Sequence, residues 1–147
     1  MDDKMNDQGG TFFSIKRISR DLTHLTNQIC AKLEEGLSSA QIDVLRCLWK
    51  TGDGLTQKEI LEKLNIRPAS LSNLIDCLVA GGWVIRKVDS KDARVKRIFL
   101  TETGKAQEEK NLHTIDVIEQ KMQEGFTNEE ISLMRVWLQR MEKNIKR

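Results

Sequence analysis

The stretch Trp83–Gly104, WVIRKVDSKDARVKRIFLTETG, decides how the rest of the chain is read. Two runs rich in β-branched and apolar residues, Trp83–Val88 and Val95–Leu100, flank a short polar segment, Asp89-Ser90-Lys91-Asp92-Ala93-Arg94. Alternating β-formers on either side of turn-forming Asp and Ser predict a β-hairpin. A lone two-stranded hairpin is marginal in water, so this one has to lie against helices while its tip projects. The tip carries Lys91 and Arg94, with Lys96 and Arg97 beside it. A projecting cationic tip is suited to phosphates or to a narrow minor groove, and the whole has the shape of a wing.

Working back from the hairpin, Gly81-Gly82 supplies a stop for a helix that starts at the chain's one proline, Pro68. Proline suits a first helical position and glycine suits the exit. Leu71, Leu74, Ile75 and Leu78 give the Pro68–Ala80 helix a buried face. Before it, a helix over about Gln57–Leu64, with Ile60, Leu61 and Leu64 inward, is followed by a short turn through Asn65-Ile66-Arg67. Helix, short turn and helix make a helix-turn-helix. Another helix is expected over Ser39–Lys50, with Ile42, Leu45 and Leu48 inward, and Thr51-Gly52-Asp53-Gly54 reads as a turn. Ser38 with Gln41, Thr56 with Glu59 and Thr127 with Glu130 each match the S/T-x-x-E/Q capping box, marking three helix starts.

Outward again, Ile15, Ile18, Leu22, Leu25, Ile29 and Leu33 recur at spacings of three and four, which predicts a helix over about Thr11–Glu34 with one apolar stripe. After the hairpin, Thr101 is a fitting N-cap for a helix reaching about Glu124, where Gly125 breaks it. A last helix over Asn128–Lys146 has a second stripe, Ile131, Met134, Leu138, Met141 and Ile145. Such stripes serve equally as intrachain core, but two of them with one small winged domain to cover leave apolar surface over. The fold class is therefore mainly α (α+β): a winged helix-turn-helix over residues 37–104, a helical dimerisation region formed by the N- and C-terminal helices (11–36 and 105–147), and a flexible leader over 1–10.

Composition narrows the function. The chain has 147 residues, 39% hydrophobic and 31% charged, as a globular domain with a real core requires. Net charge is only +2, but Lys63–Arg97 carries eight cations against three acids, a net of +5, while Lys105–Arg147 is balanced. Positive charge gathered on one substructure is what a DNA-facing surface needs. The longest uncharged stretch near the middle, Cys77–Ile85, is too short to span a bilayer, and the polar start MDDKMNDQGG has no secretory pattern, so a cytoplasmic location is expected. Cys30, Cys47 and Cys77 form no C-x-x-C pair; reduced, partly buried thiols are expected. His24, Cys30 and His113 are the available zinc-type ligands, but His24 and Cys30 fall on different faces of one helix, so no metal site and no cofactor is assigned. No G-x-S-x-G, H-E-x-x-H or phosphate-loop motif is present, and an enzyme is not expected.

At this point the sequence resembles the MarR family, the multiple-antibiotic-resistance type of bacterial transcriptional regulators. The resemblance rests on Leu37-Ser38-Ser39-Ala40-Gln41, Leu55-Thr56-Gln57, Leu64-Asn65-Ile66, Leu74-Ile75-Asp76, Leu78 and Gly82-Trp83-Val84-Ile85-Arg86. Its most specific part is the wing, where Asp89, Asp92, Arg94, Leu100, Thr101 and Gly104 fit the family's D-x-x-D-x-R…L-T-x-x-G pattern. The resemblance implies a homodimer built from the terminal helices, a recognition helix in each major groove, a wing in the adjacent minor groove, and control by a small ligand or by oxidation.

Combining the two lines, the expected function is that of a sequence-specific dimeric repressor of a pseudo-palindromic operator, relieved by a small aromatic or lipophilic ligand. Alternatives are a redox- or metal-responsive regulator of the same fold and a non-specific architectural DNA binder. Expected DNA contacts are Pro68, Ala69, Ser70, Ser72 and Asn73 on the recognition helix and Lys91, Arg94, Lys96 and Arg97 on the wing. Asn pairs with an adenine edge, Ser with several acceptors, and Ala with a thymine methyl; Asn73 stands where relatives commonly have Arg. Asp92 is expected to orient Arg94 for groove entry. Arg20, His24, Ser72 and Arg86 are candidate polar contacts for an effector. Cys30, Cys47 and Cys77 are the thiols on which oxidative control would rest.

Overall fold

The computed structural model describes residues 9–147, so all of the expected leader except Gly9 and Gly10 lies outside the described residues. In chain order the elements are α1 (Thr11–Leu33), α2 (Ser39–Thr51), β1 (Leu55–Thr56), α3 (Gln57–Leu64), α4 (Pro68–Ala80), β2 (Val84–Val88), β3 (Lys96–Leu100), α5 (Glu102–Gln123) and α6 (Asn128–Ile145). They form two compact units, one ending at Thr114 and one comprising Ile115–Arg147.

All three capping boxes form. Ser38, Thr56 and Thr127 each accept from the backbone N–H three residues on, and Gln41, Glu59 and Glu130 each accept from the cap's own N–H. The α3–α4 turn works through Asn65, which takes the left-handed conformation (φ 51°, ψ 47°), followed by Pro68 at the start of α4. Asn tolerates that conformation because its short polar side chain bonds locally. Gly82, at φ 77°, reverses the chain after α4 and feeds Trp83 into the hairpin.

The first unit's core is a single apolar cluster under the winged domain. Ile42, Val44, Leu45 and Leu48 of α2 meet Ile60 of α3, Leu71, Ile75 and Leu78 of α4, and Val84 and Ile98 of the sheet, all fully buried. Leu61, Leu64 and Leu74, expected inward, are only partly buried and pack on the rim of this cluster.

The sheet has one more strand than the hairpin reading supplied. Its order is β1-β3-β2, all antiparallel, with Leu55 opposite Ile98 and Thr56 opposite Arg97. Two residues carry no periodic signal, so β1 cannot be recognised as a strand from its own sequence. It forms because β3 has a free edge. The preceding turn is drawn onto the same edge, with Gly54 N–H donating to Ile98 O (3.0 Å) and Leu100 N–H to the Asp53 carboxylate (2.7 Å).

Glu34, at the end of α1, is fully buried and pairs with no cation among the described residues. Its two oxygens accept from Gln107 Nε2 (2.7 Å) and Asn111 Nδ2 (2.9 Å) of α5. A buried carboxylate is tolerated only when hydrogen bonds replace its water; here two amides do so, and they tie α1 to the first part of α5. Lys110 pairs with Glu35 beside them.

Thr101 caps α5 as expected, its Oγ1 accepting from Gly104 N–H (3.0 Å). A Cβ at Gly104 would stand 2.1 Å from the Trp83 carbonyl oxygen. Backbone cannot yield there as a flexible side chain would. Gly104→Ala is therefore expected to destabilise the fold by about 1–3 kcal/mol or more, the usual cost of overpacking. A urea midpoint unchanged from that of the parent would contradict this.

Candidate nucleic-acid interface

The candidate reading head is built by α3, α4 and the hairpin. At the start of α4, Pro68, Ala69, Ser70 and Asn73 are exposed, and none of the four is needed for the core. Ser72 is half-buried, and its Oγ accepts from Gln57 Nε2 across the turn (3.2 Å), which clamps α3 to α4. Arg67, which precedes Pro68 and was not among the expected contacts, is exposed at the same helix end. Its place before a proline at a helix start was the available signal.

On the wing, Lys91, Arg94 and Lys96 are exposed. The Arg94 side chain is 94% exposed, and Asp92 Oδ1 accepts both its backbone N–H (3.0 Å) and its Nε (3.4 Å). The expected Asp92–Arg94 pair is thus present, as a loose brace on a fully solvated guanidinium. Lys87, on β2, lies with its ammonium 5.1 Å from the centre of the Phe99 ring.

Arg97 departs from the wing's other cations. Its Nε donates to Asp89 Oδ1 (2.7 Å), its Nη1 donates to Gly54 O (2.8 Å), and Glu59 lies 4.0 Å from that same nitrogen. The hydrogen bond from Arg97 holds the Asp89 carboxyl below the usual carboxylate range, and the Asp89 bond raises Arg97 in turn. Period-two alternation placed Arg97 on the hairpin and said nothing of these partners, since Gly54 and Glu59 come from the unread β1 edge and from α3.

The four candidate effector contacts line neither of the recesses found among the described residues. Arg20 pairs with its neighbour Asp21 (3.2 Å), and His24 Nε2 lies 3.1 Å from Gln28 Nε2; both are exposed on α1. Arg86 is held by Asp76 of α4, and Ser72 by Gln57. An open recess of about 840 Å³ lies instead beside the start of α4, lined by Ala40, Asn65, Ile66, Arg67, Pro68, Ser70 and Leu74. It is mainly apolar, with one cation at its edge.

A winged helix-turn-helix with this exposed helix start and this wing agrees with the comparisons. Residues 37–96 match the model of the MarR family. An uncharacterized HTH-type transcriptional regulator of Bacillus subtilis, YwoH, is 35% identical over 123 residues, covering 77% of this chain and 88% of its own length. The chain belongs to the MarR family. The B. subtilis HTH-type transcriptional repressor YetL is 31% identical over 102 residues, 69% of this chain and 60% of YetL. Among solved structures, the S. aureus MepR–DNA complex superposes with a TM-score of 0.78 at 26% identity, covering 92% of this chain and 98% of that one. A serine-for-cysteine mutant of MarR from E. coli, complexed with operator DNA, superposes at 0.79 with 23% identity, covering 95% and 99%. The chain is thus a MarR-family transcriptional regulator, and at that identity the E. coli protein supports the fold alone.

The thiols of this MarR-family chain divide in a way the sequence reading did not anticipate. Cys30 and Cys47 are buried, and burial pushes both thiols up from their ordinary value; Glu34 adds to the effect at Cys30. Cys77, expected like the others to be partly buried, is exposed. It falls between the inward positions Ile75 and Leu78 of α4, and a helix turns through about 100° per residue. Among the described residues no group of three His, Cys, Asp or Glu side chains is placed to hold a metal ion. No helix among them is long and apolar enough to cross a membrane.

Thiol reactivity follows thiolate fraction and access. With the chain folded, a disulfide reagent is expected to titrate one thiol per chain quickly, Cys77, and the other two only on unfolding. Loss of the fast phase in Cys77→Ser checks the assignment; a fast phase that persists in that variant would refute it.

Proposed function

We propose that the chain is a homodimeric, sequence-specific repressor acting in the cytoplasm, which binds a pseudo-palindromic operator and releases it when a small aromatic or lipophilic molecule binds. In this reading residues 37–104 are the DNA-reading head, the helices of 11–36 and 105–147 form the dimerisation region, and the chain has no catalytic role. The observation that carries it is the pairing, on one rigid core, of a freely exposed α4 start with an exposed cationic wing. The first suits base edges in a major groove and the second suits phosphates and the neighbouring minor groove. Pro68, Ala69, Ser70, Ser72 and Asn73 are the base-side contacts, with Ser72 offering its remaining hydroxyl proton. Lys91, Arg94 and Lys96 are the wing contacts.

Dimerisation is supported by apolar surface that a single copy leaves in water. On α1, Phe12 and Ile18 are 64% and 58% exposed; on α6, Leu133, Val136, Trp137 and Leu138 are each about half exposed, and Ile145 is 81% exposed. Monomeric proteins rarely leave such faces open. A two-fold dimer places two reading heads about one helical turn apart on DNA. The recess beside α4 offers an apolar effector a place from which to shift the recognition helix, and Arg67 there suits a carboxylate.

Light scattering at micromolar concentration is expected to give twice the 16.9 kDa chain mass; a monomer mass would end the dimer reading. Mobility shifts against the DNA upstream of the chain's own gene are expected to resist random competitor DNA, whereas equal competition would point to an architectural binder. Arg94→Ala is expected to lower operator affinity and to reduce the salt slope of binding by about one. An unchanged slope across a salt titration would remove Arg94 from the interface.

A further inference from the structure

The cation that does not face outward is the informative one. Arg97 lies in the central strand β3, opposite Thr56 of β1 and Lys87 of β2. Its guanidinium spans the gap between the wing and the start of the helix-turn-helix, holding Asp89 on one side and Gly54 O on the other. Glu59, beside it, is itself engaged in capping α3 through Thr56 N–H (2.7 Å).

From Asp89 the chain of contacts runs to the tip. Asp89 Oδ2 accepts the backbone N–H groups of Lys91 and Asp92, both at 3.1 Å, and so shapes the first turn of the wing. Asp92 in turn holds the backbone and Nε of Arg94. Asp89 is 15% exposed and Arg97 38%, against 94% for Arg94. To meet a phosphate, Arg97 would have to leave one carboxylate in contact and another close by, and abandon a carbonyl. Charge-assisted hydrogen bonds of this kind are the stronger ones.

We propose that Arg97 is a positioning residue for DNA binding: it meets no phosphate, and through Asp89 it ties the root of the wing to the start of α3, so that Arg94 is presented at a fixed place relative to α4. This rests on the reading of the wing as a DNA contact. It has a consequence of unusual sign. Asp89→Asn makes the wing more positive and frees Arg97, so electrostatics alone predict tighter DNA binding with a steeper salt dependence. Positioning predicts weaker binding.

The test uses the full chain and a duplex enriched by the wild-type protein from a random-sequence library, with binding followed by fluorescence anisotropy from low to high salt. Asp89→Asn and Arg97→Lys are each expected to weaken binding about tenfold, a coupling of the size found between contacting residues. In an Arg94→Ala background, Asp89→Asn is expected to add little, because the residue it positions is already gone. Circular dichroism melts identify a variant that has lost its fold. Arg97→Lys, which keeps charge and length but cannot bridge two acceptors, then carries the comparison alone. Equal or tighter binding by Asp89→Asn, unchanged binding by Arg97→Lys, or losses from Asp89→Asn and Arg94→Ala that simply add would each overturn the proposal. Failure of the wild type to enrich any duplex would overturn the DNA reading itself, and the positioning role with it. Enrichment by the wild type with the variants unmoved overturns the positioning role alone.

Discussion

The Trp83 carbonyl oxygen is the point through which the winged domain is assembled. It accepts the backbone N–H of Thr101 and lies within 3.1 Å of that residue's hydroxyl, and Gly104 passes so close that no side chain fits there. Gly104 O accepts the indole N–H of Trp49 from α2 (3.0 Å). One turn of chain thus joins the beginning of β2, the end of β3, the first turn of α5 and the last turn of α2. A hairpin is marginal by itself; clamped at both roots it becomes a rigid extension of the helical core. The position of the tip depends on this clamp, because Ser90, Lys91, Ala93 and Arg94 there are exposed and outside the buried core.

Stiffness then has to be carried outward from the clamp, and here the sheet and the charges share the task. β1 closes the open edge of β3, and Gly54, at φ 83° with the Phe99 ring against it, lets the chain turn tightly enough to do so. Arg97 uses that closeness to reach the Gly54 carbonyl from β3. An Arg at a surface position would ordinarily contribute little through an exposed ion pair. This one bridges a carbonyl and a carboxylate that belong to different parts of the head, so its effect is geometric more than energetic. Asp89 titrates below the usual carboxylate range. Its stabilising contribution is present above the unfolded-state value near pH 4 and fades only as pH falls through the lower folded value. The bridge is therefore ionised under any condition in which DNA binding would be measured.

Much of this was legible in the sequence because it was encoded locally. Three capping boxes, Pro68, Gly82 and Gly125 placed the ends of α2, α3, α4, α5 and α6 to within a residue or so, since each acts within one turn of its own position. The wing was legible because strand alternation and turn chemistry fall in one continuous segment. What escaped depends on partners distant in sequence. β1 is a strand only by virtue of β3. Arg97 is a brace only because Gly54 and Glu59 are brought to it. Glu34 looked like the polar end of a helix and is buried by Gln107 and Asn111, more than seventy residues on. Cys77 was misjudged for a different reason: its neighbours are apolar, but helical rotation, and not the company it keeps in sequence, decides which way it points.

The same distinction explains why charge alone is a poor guide to a DNA-reading surface. The segment Lys63–Arg97 carries a net +5, yet its cations divide into two kinds. Arg86 and Arg97 face acids, Asp76 for one, Asp89 and Glu59 for the other, and so add almost nothing to the outward field. Lys63, Arg67, Lys87, Lys91, Arg94 and Lys96 are exposed, and among them Arg94, its side chain 94% exposed, has an acid of its own turn, Asp92, to limit where it can go. A diffuse positive patch would bind any duplex about equally, because phosphates repeat along every sequence. Discrimination requires the groove-reading groups to be held in register with one another. In the proposed reading, the acids among the wing's bases, which lower its net charge and so its attraction for DNA in general, keep that register through the Asp89–Arg97 and Asp92–Arg94 pairs.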